Sequence, residues 1–237
     1  MCTLTILPQE TGFILTSNRD EAKSRMSASF PKYKKINDSQ VLFPQDGDAH
    51  GSWVAINNYR VISLLNGAFE KYNHQPPYRK SRGIVLLDSF KYKKFKDFTA
   101  DYDFNNIAPF TLVCLEHETD LSLEVFRWDG EKTHYKVLDA KKEHIFSSAP
   151  LYPLEIRNKR EKMFQEFLVQ KKESTPQDLI QFHQFGGDEN VPIRLDENHF
   201  VRTVSITSIQ KKKNQLQMQY HDLMKEKIIT EPYRLSN

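Results

Sequence analysis

Cysteine and glycine are scarce in this sequence of 237 residues, and their scarcity excludes several classes of protein. Two cysteines, Cys2 and Cys114, cannot form a disulfide framework, so we expect a reducing, cytoplasmic compartment. The eight glycines form no Gly-rich phosphate-binding loop of either standard spacing. No apolar run approaches the roughly 18 residues of a membrane helix, and the first residues lack the basic leader of a signal peptide. We therefore expect no integral membrane segment.

An excess of charge of one sign is also lacking, because 34 lysines and arginines against 31 aspartates and glutamates leave a net charge of +3. This balance argues against a dedicated nucleic-acid-binding protein. The eight histidines are scattered, and no His-Glu-x-x-His or Cys-x-x-Cys motif occurs. We therefore predict no nucleic-acid partner, no metal site and no cofactor. A hydrophobic content of 38%, with 12% aromatic residues, indicates a folded chain.

Most of the chain has the alternating apolar pattern of short β-strands arranged as hairpins. The pattern predicts hairpins over residues 3–17, 52–65, 110–126 and 201–221, with weaker strands over 133–138 and 144–147. Residues 22–50 and 66–80 have no clear period and are predicted to be loops.

Helices are predicted in three places. Ser81 is a suitable N-cap for a helix running toward Phe98. Residues 153–170 have apolar side chains at helical spacing. A third helix is predicted to start where Pro176 follows Thr175. Antiparallel hairpins with helices between them indicate an α+β fold, which we assign to a single domain over residues 1–237.

Cys2 is the first candidate for chemistry. A small side chain at position 2 allows removal of Met1, which we expect to leave Cys2 as the mature N-terminus. A free α-amine titrates near about pH 7.7–8.0, so part of it is neutral and serves as a general base for the adjacent thiol. Attack of the thiolate on a carbonyl would then give a thioester that water hydrolyses. The alternative for Cys2, and our prediction for Cys114, is an inert buried cysteine.

Several motifs spaced along the chain resemble those of a known family. The chain starts Met-Cys and reaches Asn18-Arg19-Asp20-Glu21 at the end of its first hairpin. Further matches are Gly51-Ser52-Trp53-Val54-Ala55-Ile56, Leu64-Leu65-Asn66, Ser81-Arg82-Gly83 and Val201-Arg202-Thr203. Together they resemble the NRDE family, the family of the transport-and-Golgi-organisation protein.

The resemblance implies an N-terminal nucleophile hydrolase-like fold, a four-layer αββα sandwich of two antiparallel sheets flanked by helices. The enzymes of known chemistry that share this plan are bile-salt hydrolases and penicillin V acylases, which cleave non-peptide C–N amide bonds. The implied catalytic residues are Cys2 as nucleophile, Arg19 beside its thiolate, Asp20 beside the α-ammonium, Asn66 as oxyanion donor and Arg202 as part of the electrostatic frame. A cation near a thiol lowers the pKa of the thiol, and this is the physical reason for the role assigned to Arg19.

Further residues are assigned to substrate binding on the same resemblance: Asn18, Glu21, Trp53 and Ser148. Glu21 is also an alternative to Asp20, and Ser148 stands where acylases place an asparagine. The partner is then a small amide substrate. Two alternatives stay open: a carrier of haem or acyl-lipid ligands on the same fold, and a scaffold in which Arg19 and Asp20 form a structural ion pair.

Overall fold

The computed structural model describes residues 3–171 and 173–234, which contain thirteen strands and four α-helices. The strands are β1 (Thr3–Gln9), β2 (Gly12–Ala22), β3 (Ser29–Ile36), β4 (Ser39–Gln45), β5 (Val54–Ile56), β6 (Arg60–Asn66), β7 (Phe110–Glu116), β8 (Ser122–Trp128), β9 (Thr133–Leu138), β10 (His144–Ser147), β11 (Val201–Lys212), β12 (Gln215–Asp222) and β13 (Lys227–Tyr233). The helices are α1 (Arg82–Asp88), α2 (Phe95–Asp101), α3 (Leu154–Gln170) and α4 (Pro176–Phe185).

The chain divides into two compact units that are nested in sequence. The second unit comprises residues 26–140, and the first is built from the segments on either side of it. Each unit contains one antiparallel sheet and two of the α-helices. The α+β fold with two antiparallel sheets and accompanying helices is therefore confirmed.

The six-stranded sheet of the first unit has the order β10-β1-β2-β11-β12-β13. The two central strands of the sheet come from different chain segments: β2, from the first segment, pairs along its whole length with β11, from the last. The predicted β1–β2 hairpin is present and pairs Thr3 with Asn18 at its open end. Its turn needs glycine at Gly12, where φ is +152° and an added Cβ would lie 2.0 Å from the Lys211 carbonyl oxygen.

One face of this sheet packs against α3 and α4. The apolar cluster between them consists of Ile14, Phe164, Leu179, Phe182 and Ile193. Because Ile14 belongs to this cluster and side chains alternate along a strand, the even-numbered residues of β2 point toward the helices. The start of α4 was predicted correctly: Thr175 and Asp178 form a capping box, and Pro176 occupies the first turn.

The seven-stranded sheet of the second unit has the order β3-β4-β5-β6-β7-β8-β9. Its core is rich in aromatic residues: Phe90, Phe95, Phe98, Phe104, Phe110, Phe126 and Trp128. Ser81 caps α1 as predicted, by accepting a hydrogen bond from the Ile84 N–H. The prediction of one helix toward Phe98 is wrong, because a 3₁₀ turn at Ser89–Lys91 separates α1 from α2.

The four predicted hairpins are confirmed, and so are the two weaker strands. The loop predicted over residues 22–50 is wrong, because it contains β3 and β4. β13 was not predicted. No helix in the described ranges has both the length and the apolar character needed to cross a bilayer.

Candidate functional site

Three consecutive polar residues, Asn18, Arg19 and Asp20, are buried on the central strand β2. Alternation along the strand sends Asn18 and Asp20 to the helix-covered face and Arg19 to the opposite face. Thr203 pairs with Asp20, and Ser205 pairs with Arg19 across a β-bulge in β11. The motif predicted to carry chemistry therefore presents its cation and its carboxylate to different sides of one sheet.

The Asp20 carboxylate is held by hydroxyl groups. Thr203 Oγ1 donates to Oδ1 at 2.5 Å, and the Tyr152 hydroxyl lies 3.5 Å from Oδ2. Thr203 Oγ1 in turn accepts a hydrogen bond from the Leu195 N–H at 2.9 Å. Because the carboxylate is only 3% exposed, these contacts fix its orientation in a poorly hydrated interior.

Arg19 and Glu21 share the other face of β2 and form an ion pair, with 3.7 Å between Nη2 and Oε1. The second carboxylate oxygen of Glu21 lies 3.6 Å from Nε of Arg25. Arg202, which pairs with Glu21 in register, donates to the Glu197 carboxylate. The structural ion pair that the sequence suggested between Arg19 and Asp20 is therefore replaced by a pair between Arg19 and Glu21. Neighbouring residues in a strand point to opposite faces of the sheet.

Asn18 uses its side-chain amide inside the first unit. Its Nδ2 donates to the carbonyl oxygens of His183 and Ile193 at 3.1 and 3.0 Å. Its Oδ1 lies 2.8 Å from Nδ1 of His183, and the other ring nitrogen lies 2.8 Å from Thr5 Oγ1. The amide thus ties β2 to α4, which gives Asn18 a structural role, and its assignment to substrate binding stays a prediction.

His183 is fully buried and neutral. Burial, and next the positive charge of Arg160, lower its pKa to about 3. Both Nδ2 hydrogens of Asn18 go to carbonyl groups, so its Oδ1 must accept, and we infer that Nδ1 of His183 carries the proton. His183 Nε2 is then the acceptor for the Thr5 hydroxyl.

A second buried cation, Arg160, lies on α3 near the start of β1. Nη1 donates to Thr3 Oγ1 at 2.6 Å, and Nη2 donates to the Pro192 carbonyl oxygen. The guanidinium carbon lies 3.6 Å from the centre of the Tyr152 ring, which is a close cation–π contact. Tyr152 therefore contacts Arg160 through its ring and Asp20 through its hydroxyl group.

The remaining predicted site residues are distributed over both units. Ser148 is fully buried directly after β10, and its carbonyl oxygen accepts from the Tyr152 N–H at 3.1 Å. Asn66 is the last residue of β6, and Trp53 is a buried residue directly before β5, both in the second unit. Cys2, the predicted nucleophile, lies outside the described residues. Of the predicted site residues, the first unit contains Asn18, Arg19, Asp20, Glu21, Arg202 and Ser148, and the structure joins Arg19 to Glu21 by an ion pair.

Comparison with known proteins identifies the family. The family model described as Transport and Golgi organisation 2 matches residues 1–230. The chain belongs to this family. It is the family that the motif at residues 18–21 resembles, so the predicted membership is confirmed. No curated protein matches the chain significantly.

In this member of the Transport and Golgi organisation 2 family, sequence reasoning missed four residues of the buried polar network: Tyr152, Arg160, His183 and Thr203. A signal existed for two of them. Arg160 stands one helical turn before Phe164, and His183 one turn after Leu179, so both lie on apolar helix faces. A charged or polar residue on such a face indicates burial with specific partners.

The arrangement favours proton and charge chemistry of the protein's own side chains. It offers a fixed carboxylate, a buried guanidinium on each face of the sheet and several hydroxyl donors. In residues 3–171 and 173–234 no group of three or more histidine, cysteine, aspartate or glutamate side chains is arranged to hold a metal ion.

Proposed function

We propose that the chain is an N-terminal-cysteine amidohydrolase that cleaves a non-peptide C–N amide bond of a small acylated or cyclic substrate. The proposal requires removal of Met1, so that Cys2 has a free α-amine. It also assigns the activity to the reducing cytoplasm, where a thiol nucleophile stays reduced.

The observation that carries the proposal is the buried, hydroxyl-oriented carboxylate of Asp20 beside the open end of the β1–β2 hairpin. Thr3, the residue after Cys2, pairs with Asn18, two residues before Asp20. A carboxylate held in this position is suited to accept hydrogen bonds from an N-terminal ammonium group and to orient it. Arg19, on the same strand, supplies the positive charge that favours a thiolate over a thiol.

In the proposed reaction the α-amine takes the thiol proton, and the Cys2 sulfur attacks the amide carbon to form a C–S bond. The negative charge that develops on the amide oxygen needs a hydrogen-bond donor, and one well-placed donor can contribute about 3 kcal/mol. The C–N bond then breaks as the amine returns the proton to the leaving nitrogen. Water attacks the thioester, the C–S bond breaks, and the carboxylate product leaves a regenerated thiol. Arg202 and Ser148 complete the polar surroundings in this proposal.

The test is turnover of a panel of N-acyl amino acids of increasing acyl length and of cyclic amides by purified protein whose Met1 removal is verified by intact mass. We expect Cys2→Ala to abolish turnover and a short quench to trap an acyl group on Cys2. The matched control is Cys114→Ala, because Cys114 is fully buried and burial raises the pKa of its thiol.

Turnover that is unchanged in Cys2→Ala, or active protein that retains Met1, would refute the mechanism. Tight binding of haem or acyl chains that survives Cys2→Ala, without any turnover, would instead support the carrier alternative. The bulky aromatic residues Trp53 and Phe110, which could line an apolar binding site, are buried.

A further inference from the structure

Arg160 occupies a position that packing alone would give to an apolar residue. Only Arg160 and Phe164 are buried among the 17 residues of α3, and Arg160 is 1% exposed. Removing a guanidinium from water carries a large desolvation penalty before any interaction is counted. A leucine or methionine would fill a similar volume without that cost, so its charge or its hydrogen bonds must serve a purpose.

The partners of Arg160 in the described chain are neutral. They are the Thr3 hydroxyl, the Pro192 carbonyl oxygen and the Tyr152 ring. Its Nε has no hydrogen-bond partner within the described ranges. Among the residues that the structure describes, Arg160 therefore has no direct carboxylate partner to offset its buried charge, and Tyr152 links it to the Asp20 carboxylate.

These contacts join the two strands that the proposed reaction depends on. Through Thr3, Arg160 is tied to β1 one residue after Cys2. Through Tyr152, it is linked to the carboxylate on β2. One side chain, anchored in a helix, thus contacts the start of β1 directly and the Asp20 carboxylate through Tyr152.

We propose that Arg160 is a positioning residue that fixes Thr3 and, through Tyr152, the Asp20 carboxylate, and so sets the reactivity of the Cys2 thiol. The inference rests on the proposed role of Cys2 as nucleophile. Arg160 acts through these two residues and does not contact the substrate. Displacement of a reacting group by about 1 Å can reduce a rate by about a hundredfold, so loss of this anchor should be measurable.

The experiment measures the second-order rate of alkylation by iodoacetamide in full-length protein without Met1, with each cysteine followed by peptide mass spectrometry. We expect Arg160→Met to slow alkylation of Cys2 by about tenfold or more, and Arg160→Lys to restore part of the rate. Buried Cys114 reports unfolding in the same sample. Lys162→Met, the same kind of change on the exposed face of α3, should leave the Cys2 rate unchanged.

Two milder variants keep the test decisive if Arg160→Met does not fold. Thr3→Val removes the hydroxyl with little change of shape, and Tyr152→Phe keeps the ring but removes its contact to Asp20. Each should slow alkylation of Cys2 by about threefold to tenfold at an unchanged melting temperature. Folded variants that all react within a factor of two of the wild type would overturn the inference.

Failure of this inference can be told apart from failure of the proposed function. Amide turnover together with Cys2 alkylation that is independent of Arg160 refutes the positioning role alone. Alkylation that depends on Arg160, without turnover of any amide in the panel, refutes the hydrolase and supports the positioning role.

Discussion

The interiors of the two units differ in what dominates them, although the second unit also buries Arg60, Asp88 and Glu124. The first unit buries two arginines, a carboxylate, an asparagine and a histidine: Arg19, Arg160, Asp20, Asn18 and His183. The second unit has an aromatic core in which Phe98 and Phe104 each contact several other rings. Buried polar groups require exact partners, whereas aromatic packing tolerates small adjustments.

This difference indicates a division of roles. A core of aromatic rings supplies stability through buried area and ring contacts. A buried polar network contributes little net stability but specifies one arrangement of its side chains, which is what a reacting site needs. The predictions below test this division by measuring how each unit responds to the loss of one element.

The largest expected effect is in the aromatic core. Phe98→Ala should lower the free energy of unfolding by about 3–5 kcal/mol, because a fully buried ring that contacts Phe95, Tyr102 and Phe104 is replaced by a cavity. Urea denaturation measures the change in the free energy of unfolding, and hydrogen exchange measured peptide by peptide shows which unit is destabilised. The same substitution at Phe200, which is 91% exposed, should cost less than about 0.5 kcal/mol. A loss below about 1 kcal/mol for Phe98→Ala would contradict the role given to this core.

The next effect concerns the polar network. Asn18→Ala leaves two carbonyl groups and the His183 ring N–H without a partner, so we expect a loss of about 2–3 kcal/mol by urea denaturation. The control is Gln181→Ala on the exposed face of α4. If both variants unfold at the same urea concentration, Asn18 does not tie β2 to α4 as described.

The histidine of the network should make stability depend on pH. Because the folded pKa of His183 is lowered to about 3, its contribution is fully present above pH 6.5 and is lost as the pH falls toward 3. Between these pH values the imidazole is protonated in the unfolded chain and neutral in the folded chain. Stability should therefore fall by about 1.4 kcal/mol per pH unit, about 2 kcal/mol between pH 6.5 and 5. His183→Gln should flatten the slope, and an equally steep slope in that variant would assign the effect to other groups.

The smallest effect is at the start of α4. Thr175→Ala removes a side chain that accepts from the Asp178 N–H, so the expected loss is about 1 kcal/mol, with faster hydrogen exchange in the first turn. Thr175→Ser keeps the hydroxyl group and should behave like the wild type. Equal stability of the two variants would show that the capping box does not stabilise α4.

Local patterns were sufficient for most of the fold. The hairpins were predictable because alternation and turn residues are local properties, and Thr175 with Pro176 is a local helix signal. β3 was missed because it is the edge strand of its sheet, where Lys32, Lys34 and Lys35 are exposed and no apolar alternation remains. The nearly continuous apolar run in β4 was a usable signal that was overlooked.

The candidate site was less predictable. The motif at residues 18–21 pointed to the correct strand, but only the strand geometry separates Arg19 from Asp20 and pairs Arg19 with Glu21. Arg160 and His183 were missed because a charge or an imidazole in a helix is usually solvated. Their place on apolar helix faces indicated burial, but the partners of the two side chains are decided by tertiary packing, which a single sequence does not contain.

The nested order of the units has a consequence for synthesis. β2 lies between β1 and β11, so the N-terminal hairpin leaves the ribosome long before its other neighbour exists. At about 5–20 residues per second, the delay between Ala22 and Val201 is about 9–36 seconds. The second unit, residues 26–140, is completed within this interval, whereas the hairpin has two unpaired edges until β10 is made and one until β11 is made. Truncation before β11 should therefore produce an aggregation-prone nascent chain, and early chaperone binding to the first 25 residues would protect it.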